Sequence, residues 1–333
     1  MSQSPFSEAI NQLKPKEKEP RSARVLDGWV AQAQQTLGGE ISGGRLGWLI
    51  ASTVVVAALQ RAVDEAGPLF LLKGGTLLQH RLGLDARATS NIDGLVRGDL
   101  TRFLVVLDEV IKEPWGPLGI ERGPVEYIKT PSRITKPMRF SVKVRVGTTT
   151  WRRVQVEVAS DEGGAGDSSD VVIPPSLAGF GLPSPETLAT LALRFQIAQK
   201  LHACTDPHDP PASINDRPRD VVDLLLLRDL VRTEGRPTLL ELRVAAEAIF
   251  AARAADARAL GRTERTWPCV VVAHEHWRAD FAAARAGSYV NITLEEAVAA
   301  VNSWVDQIAE AMETQRRGLA SPGRSDKGAV HDC

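Results

Sequence analysis

The chain has 333 residues, and its 40 basic and 41 acidic side chains give a formal net charge of −1. At about 100–200 residues per domain, that length predicts two domains or one large one. With 43% hydrophobic and 24% charged residues, wholesale disorder is excluded, and the balanced charge leaves room only for a local basic footprint.

Residues 1–22 are polar and charged and read as a flexible N-terminus. Residues 23–66 are helical by pattern: Val25, Trp29, Ala33 and Leu37 recur at three-to-four spacing, and 46–63 reads as a buried helix. Gly67-Pro68 breaks it before a short apolar strand at 69–72. The turn Lys73-Gly74-Gly75-Thr76 then opens a helix, and a second strand is expected at 92–96. Residues 101–113 form an amphipathic helix with Thr101 as N-cap. Strands follow at 125–130, 139–146 and 151–158, the last two with clear alternation, and 161–170 reads as a flexible loop. Ser184 and Pro185 read as the N-cap and first residue of a helix reaching Cys204. A Pro/Asp-rich loop and helices at 219–232, 237–260 and 293–316 complete the pattern, with 318–333 expected to be disordered. The division is thus a mixed α/β part over 23–180 and a helical part over 181–317, an α+β class.

The chemistry concentrates at 70–96. Gly74 and Gly75 let backbone N–H groups approach an anion at a helix N-terminus, and Thr76 adds a hydroxyl. Asn91 and Asp93 fall on one face of a strand, a spacing that presents two oxygen ligands to a divalent cation beside a triphosphate. The third ligand is expected on a neighbouring strand, where Glu157 is the only acid of 151–158. Farther on, Lys200 ends one helix, and Asp220 and Asp223 share a face of the next, so a carboxylate can orient a phosphate-binding lysine.

This ordered set resembles the AbiEii/AbiGii-type toxin nucleotidyltransferases, within the DNA-polymerase-β-like superfamily, over about residues 60–230. The resemblance implies a nucleotidyltransferase-like mixed sheet with flanking helices over 23–180 and a helical C-terminal domain. It implies transfer of NMP from an NTP to RNA, in particular the tRNA 3′ end, with Mg²⁺ or Mn²⁺, and a cognate antitoxin encoded nearby. Gly74, Gly75, Thr76 and Lys200 match the nucleotide-binding positions, and Asn91, Asp93 and Glu157 the metal positions. Asp93, Lys200, Asp220 and Asp223 match the catalytic ones, and Arg87 and Thr89 the arginine and hydroxyl before the acids. The departure is Asn91, which stands where the family pattern has Asp. It leaves open a weakened or inactivated copy, or a cation held by other groups. A protein or small-molecule acceptor, or nucleotide binding without transfer, are the alternatives. Thr89 and Ser90 lie just before the metal pair and are expected sites of silencing phosphorylation.

Between Lys129 and Arg153 eight basic residues occur and no acidic one. Alternation puts Arg139, Lys143 and Arg145 on one strand face, an expected RNA-binding surface, with Trp151 as a stacking platform. His202 reads as packing, His274-Glu275-His276 as no zinc site, and Trp267, Trp277 and Trp304 as core. Three scattered cysteines point to a reducing cytosol rather than a disulfide framework. The start lacks the pattern of a secretory signal, and the most apolar stretch, 48–59, is too short for a membrane span.

Overall fold

The computed structural model describes residues 4–38, 43–130, 133–286 and 288–319. The chain opens on helix α1 (Pro5–Asn11), capped by Ser4, whose hydroxyl accepts the Ser7 N–H. Ile10 is buried, and the Lys16 N–H donates to the Ala178 carbonyl at 2.9 Å. The described part of 1–22 is therefore packed rather than loose: a capped turn and one apolar anchor suffice to dock it. Helix α2 (Ala23–Thr36) is capped by Ser22. Its buried face is Leu26, Val30 and Ala33, which keeps Ala33 of the expected stripe but puts Leu26 and Val30 inside in place of Val25 and Trp29, and Val25 faces solvent. Helix α3 (Gly43–Leu59) is apolar nearly all round and lies inside, with Val54, Val55 and Val56 fully buried.

A small hairpin, β1 (Val63–Asp64) and β2 (Gly67–Pro68), leads to β3 (Phe70–Lys73) and helix α4 (Gly74–Leu82). Then come β4 (Asn91–Val96), α5 (Leu100–Val110), β5 (Leu118–Tyr127), β6 (Met138–Val146) and β7 (Thr149–Ser160). The N-cap of α5 is Asp99, which accepts the Arg102 N–H at 2.7 Å, and not Thr101. Strand β5 starts seven residues before its expected position, with an irregularity between Arg122 and Val125.

The stretch read as loop and then helix contains two further strands, β8 (Ser169–Val172) and β9 (Leu188–Leu191), and helix α6 (Leu193–Cys204) starts only after them. Ser184 is not a helix cap; its hydroxyl accepts the Leu177 N–H at 2.7 Å. All of Leu188–Leu191 is buried between β3 and β8, so a short apolar run goes to the sheet, where its backbone groups are paired. Helices α7 (Pro218–Glu234), α8 (Leu239–Ala259), α9 (Trp277–Arg285) and α10 (Leu294–Leu319) complete the chain. Residues 318–319 belong to α10, and the rest of the expected tail lies outside the described residues.

The seven-stranded sheet runs β5-β6-β7-β4-β3-β9-β8. Pairs β4·β7 and β3·β9 are parallel and the others antiparallel, a mixed sheet as expected. One apolar core joins its inner face to α2, α3 and α5, and another fills the bundle α6–α10 around Trp277 and Trp304.

Candidate active site

Strand alternation and register build the acidic half of the site. On β4, Ile92 is buried while Asn91 and Asp93 point the other way. Asp93 pairs in register with Glu157 on β7 and with Lys73 on β3, so three ionisable side chains stand abreast on three strands. The neighbouring-strand ligand expected from the sequence is thus beside Asp93. Burial pushes the Asp93 carboxyl up to about 6, Lys73 opposing and Glu157 adding to it. Asn91 Nδ2 donates to Asp93 Oδ1 at 3.0 Å, and the Thr89 hydroxyl donates to the Asn91 side-chain oxygen at 3.4 Å. Arg139 reaches Glu157 Oε1 with Nε at 3.0 Å and a terminal nitrogen at 2.8 Å.

Two glycines make this packing possible. Gly74 has φ +72°, and a Cβ there would collide with the Asp93 carboxylate. Gly94, directly after Asp93, leaves the space that the Phe70 ring fills.

Helix α4 begins at Gly74 with Lys73 as N-cap, and among the described residues no side chain caps it. The Gly74 N–H itself donates to Gln196 Oε1 at 3.1 Å. Thr76 is fully buried, and its hydroxyl donates to the Asn91 carbonyl at 2.9 Å, so it ties α4 to β4 rather than facing the cleft.

The basic half comes from the helical bundle. Lys200 Nζ on α6 donates to Asp220 and Asp223 on α7, each at 2.7 Å. Burial works to lower the Lys200 pKa, but the two carboxylates outweigh it and hold it above the usual lysine range. Arg87 grips fully buried Asp223 at two points, 3.0 and 3.1 Å. Lys73 Nζ donates to Gln199 at 3.2 Å; burial lowers its pKa to about 8 against the pull of Glu162 and Asp93.

Gly74, Asp93, Glu157, Lys200 and Asp220 line one cleft of about 370 Å³. Asp223 stands behind Lys200. Lys73, Gln196, Gln199, Arg133, Arg217 and Arg253 also line it, and sequence reading missed them. Lys73 had a signal, its place directly before the glycine pair. Arg253 had none, since an arginine in an alanine-rich helix reads as solvated. Arg133 and Arg253 converge on buried Glu162, which Gln199 also contacts at 2.8 Å. Burial works to raise the Glu162 carboxyl, but the arginines bring it down to about 2.

Asp93 and Glu157 offer carboxylate oxygens suited to a hard divalent cation, while Asn91 turns its amide nitrogen to Asp93 and its oxygen to Thr89, so that oxygen joins the set only if the amide turns over. Two like-charged carboxylates side by side, one of them buried, are a setting that such a cation relieves. The set carries two charges, and among the described residues no group of three or more His, Cys, Asp or Glu side chains is disposed to hold a metal.

The β6 face is half-exposed as expected but less basic than the local sequence reads. Glu121 on β5, outside the acid-free window, takes Lys143 at 2.6 Å and Arg145 at 2.9 Å. Trp151 is buried, donates to Asp27 at 2.8 Å and is covered by the Arg152 guanidinium, so it offers no stacking platform. Ser90 is exposed and Thr89 half-buried. His202 is buried against Phe250 and Arg253, as packing. His274 and His276 meet His208 ring to ring rather than converging nitrogens on a point. Buried Cys204 has its thiol pKa raised by burial, which leaves it inert.

Among solved structures, MenT4, a nucleotidyltransferase toxin from Mycobacterium tuberculosis, is similar in fold. The match covers 92% of this chain and 96% of that one, with 17% identity and a TM-score of 0.54. JHP933 from Helicobacter pylori matches over 82% and 96%, with 16% identity and a TM-score of 0.44. No match is found among curated proteins. The family model for the nucleotidyl transferase AbiEii toxin of type IV toxin–antitoxin systems matches residues 57–306, a stretch containing every residue of the cleft. With the paired strand acids, the glycine turn and the helical lysine all inside that match, the chain belongs to the AbiEii family of nucleotidyltransferase toxins.

Proposed function

We propose that this toxin transfers NMP from an NTP to an RNA acceptor, the 3′ end of tRNA, releasing pyrophosphate and so blocking translation and growth. The supporting observation is that Asp93 and Glu157 stand abreast on β4 and β7 and share one cleft with Lys200 and the Gly74 turn. In this reading Asp93 and Glu157, with the Asn91 oxygen, hold Mg²⁺ or Mn²⁺. Such a cation, when bound, lowers the pKa of an acceptor hydroxyl and balances charge on the leaving pyrophosphate.

The other roles belong to the chain's own groups. Lys200, kept protonated and aimed by Asp220 and Asp223, neutralises the triphosphate, and Arg87 fixes Asp223 in place. Gly75 and Thr76 offer first-turn N–H groups of α4 to a phosphate, and the Gly74 N–H joins them when Gln196 swings away. Arg139, Lys143 and Arg145 meet the RNA backbone on β6. NTP and tRNA as substrates put the reaction in the cytosol, with the antitoxin as partner; among the described residues no helix is long and apolar enough to cross a membrane.

The Asn91 amide, which donates to Asp93 and adds no charge, favours a second reading in which nucleotide is bound without transfer. Incubation with each labelled NTP and total tRNA separates the two, using this chain and Asn91→Asp. The expected result is label on RNA with pyrophosphate release, raised on the order of tenfold or more by Asn91→Asp, which restores a third charge. Label on protein, or nucleotide binding without any transfer in both proteins, overturns the RNA reading.

A further inference from the structure

Arg139 on β6 is the register partner of Glu157 on β7, which is itself the partner of Asp93 on β4. Both guanidinium nitrogens that reach Glu157 bind the same oxygen, Oε1. Of the two strand carboxylates in the cleft, Asp93 and Glu157, Glu157 is the one paired with an arginine that does not line the cleft. With Asn91 neutral, Asp93 and Glu157 are the only acids of the strand set; Lys73 stands beside Asp93, and Arg139 is the cation fixed on Glu157. A divalent cation entering beside Asp93 meets Arg139 as a like charge and as a competitor for Oε1.

The Arg139 side chain is 43% exposed, so the pair is open to exchange. Arg139 also heads the strand face that carries Lys143 and Arg145. Those two are held by Glu121, outside the cleft. Arg139 alone of the three is held by a group that the reaction needs. A phosphodiester lying along β6 offers Arg139 a new oxyanion and, in taking it, uncovers Glu157.

We propose that Arg139 is a positioning residue that makes cation binding wait for the acceptor: it occupies Glu157 until a phosphodiester on the β6 face draws it off. This rests on the reading above, that RNA is the acceptor and that Asp93 and Glu157 hold the cation. By linkage, RNA tightens cation binding and the cation tightens RNA binding by the same factor, and Arg139→Gln removes that coupling.

The test is Mn²⁺ binding by the full chain without NTP, measured by loss of the free-ion spin-resonance signal, with and without tRNA and against tRNA alone. In the unsubstituted protein, tRNA is expected to tighten Mn²⁺ binding by about three- to tenfold. Arg139→Gln should bind Mn²⁺ at the tightened level without tRNA and gain nothing from adding it. Arg139→Lys, which keeps the charge and gives up the fork, should fall between and serves if Arg139→Gln does not fold. If these variants bind Mn²⁺ no tighter than the unsubstituted chain, the proposal is overturned, while labelled tRNA in the transfer assay would leave the function standing. If Arg139→Gln binds more tightly but tRNA changes nothing in either protein, release by the acceptor is overturned. No Mn²⁺ binding in any protein, Asn91→Asp included, overturns the cation assignment and the proposal with it.

Discussion

The Thr89 hydroxyl donates toward Asn91, and a Cβ on Gly75 would lie 3.1 Å from it, so a negative group at Thr89 would stand at the mouth of the glycine turn. A phosphoryl group there would add about −1.5 to −2 charge and, under the proposed function, would compete with the triphosphate for Lys200. Thr89→Glu is expected to weaken NTP binding far more than Thr89→Val at a similar melting temperature, and Ser90→Glu to behave likewise. Equal NTP affinity in the Glu and Val proteins would remove the electrostatic argument. Mass spectrometry of toxin co-expressed with its operon neighbour should find phosphate within residues 88–97. Gly74→Ala tests the other side of the turn. Its Cβ would force Asp93 aside at a positive φ, so transfer should collapse while Gly98→Ala, at an equally positive φ with open space around it, keeps it.

At the scale of elements, Glu162 ties the segment after β7 to α8 through Arg253 and to the segment after β5 through Arg133. Its carboxyl ordinarily titrates at 4.5 and is held at about 2, so its stabilising contribution is full above 4.5 and is lost as pH falls towards 2. Glu162→Gln should lower stability at neutral pH by about 3 kcal/mol, since two arginines lose their partner, and should flatten the acid limb of a denaturation curve. An unchanged acid limb would mean that other carboxylates set it. Strands β6 and β7 were readable because one face of each is polar, which exposed Glu157, and the same alternation at the start of β4 exposed Asn91 and Asp93. Strand β9 was not, because it is buried on both faces and so carries no period, while Ser184-Pro185-Glu186 imitates a helix start. The cleft's arginines were hidden for a related reason: Arg133 and Arg253 meet only through the tertiary fold, and nothing local marks a solvated arginine from a buried one.

Over the whole molecule, the near-neutral charge seen in the composition is reproduced locally, since the β6 basic face is matched by Glu121 and Glu157, and Arg152 on β7 by Asp27. That balance gives an opposed pair of expectations for RNA. Lys143→Glu with Arg145→Glu should weaken RNA binding and reduce its log–log salt slope by about 1 for each phosphate that the pair ceases to neutralise. Glu121→Gln, which releases both cations, should strengthen binding and steepen the slope. A shift of neither in a salt titration would leave that face without a part in acceptor binding.

The sheet has one further consequence, for the order in which a ribosome delivers it. Strand β3 is flanked by β4, made some twenty residues later, and by β9, whose Thr190 pairs with Leu72. Asp93 therefore emerges well before Lys200, and Asp223 follows later still, with α7. At about 5–20 residues per second, roughly ten seconds separate Asp93 on β4 from the carboxylates that aim the lysine. A nascent chain in that interval holds half a site and no bundle to close it. A chain built in this order has no complete cleft until α8, which carries Arg253, has followed α7.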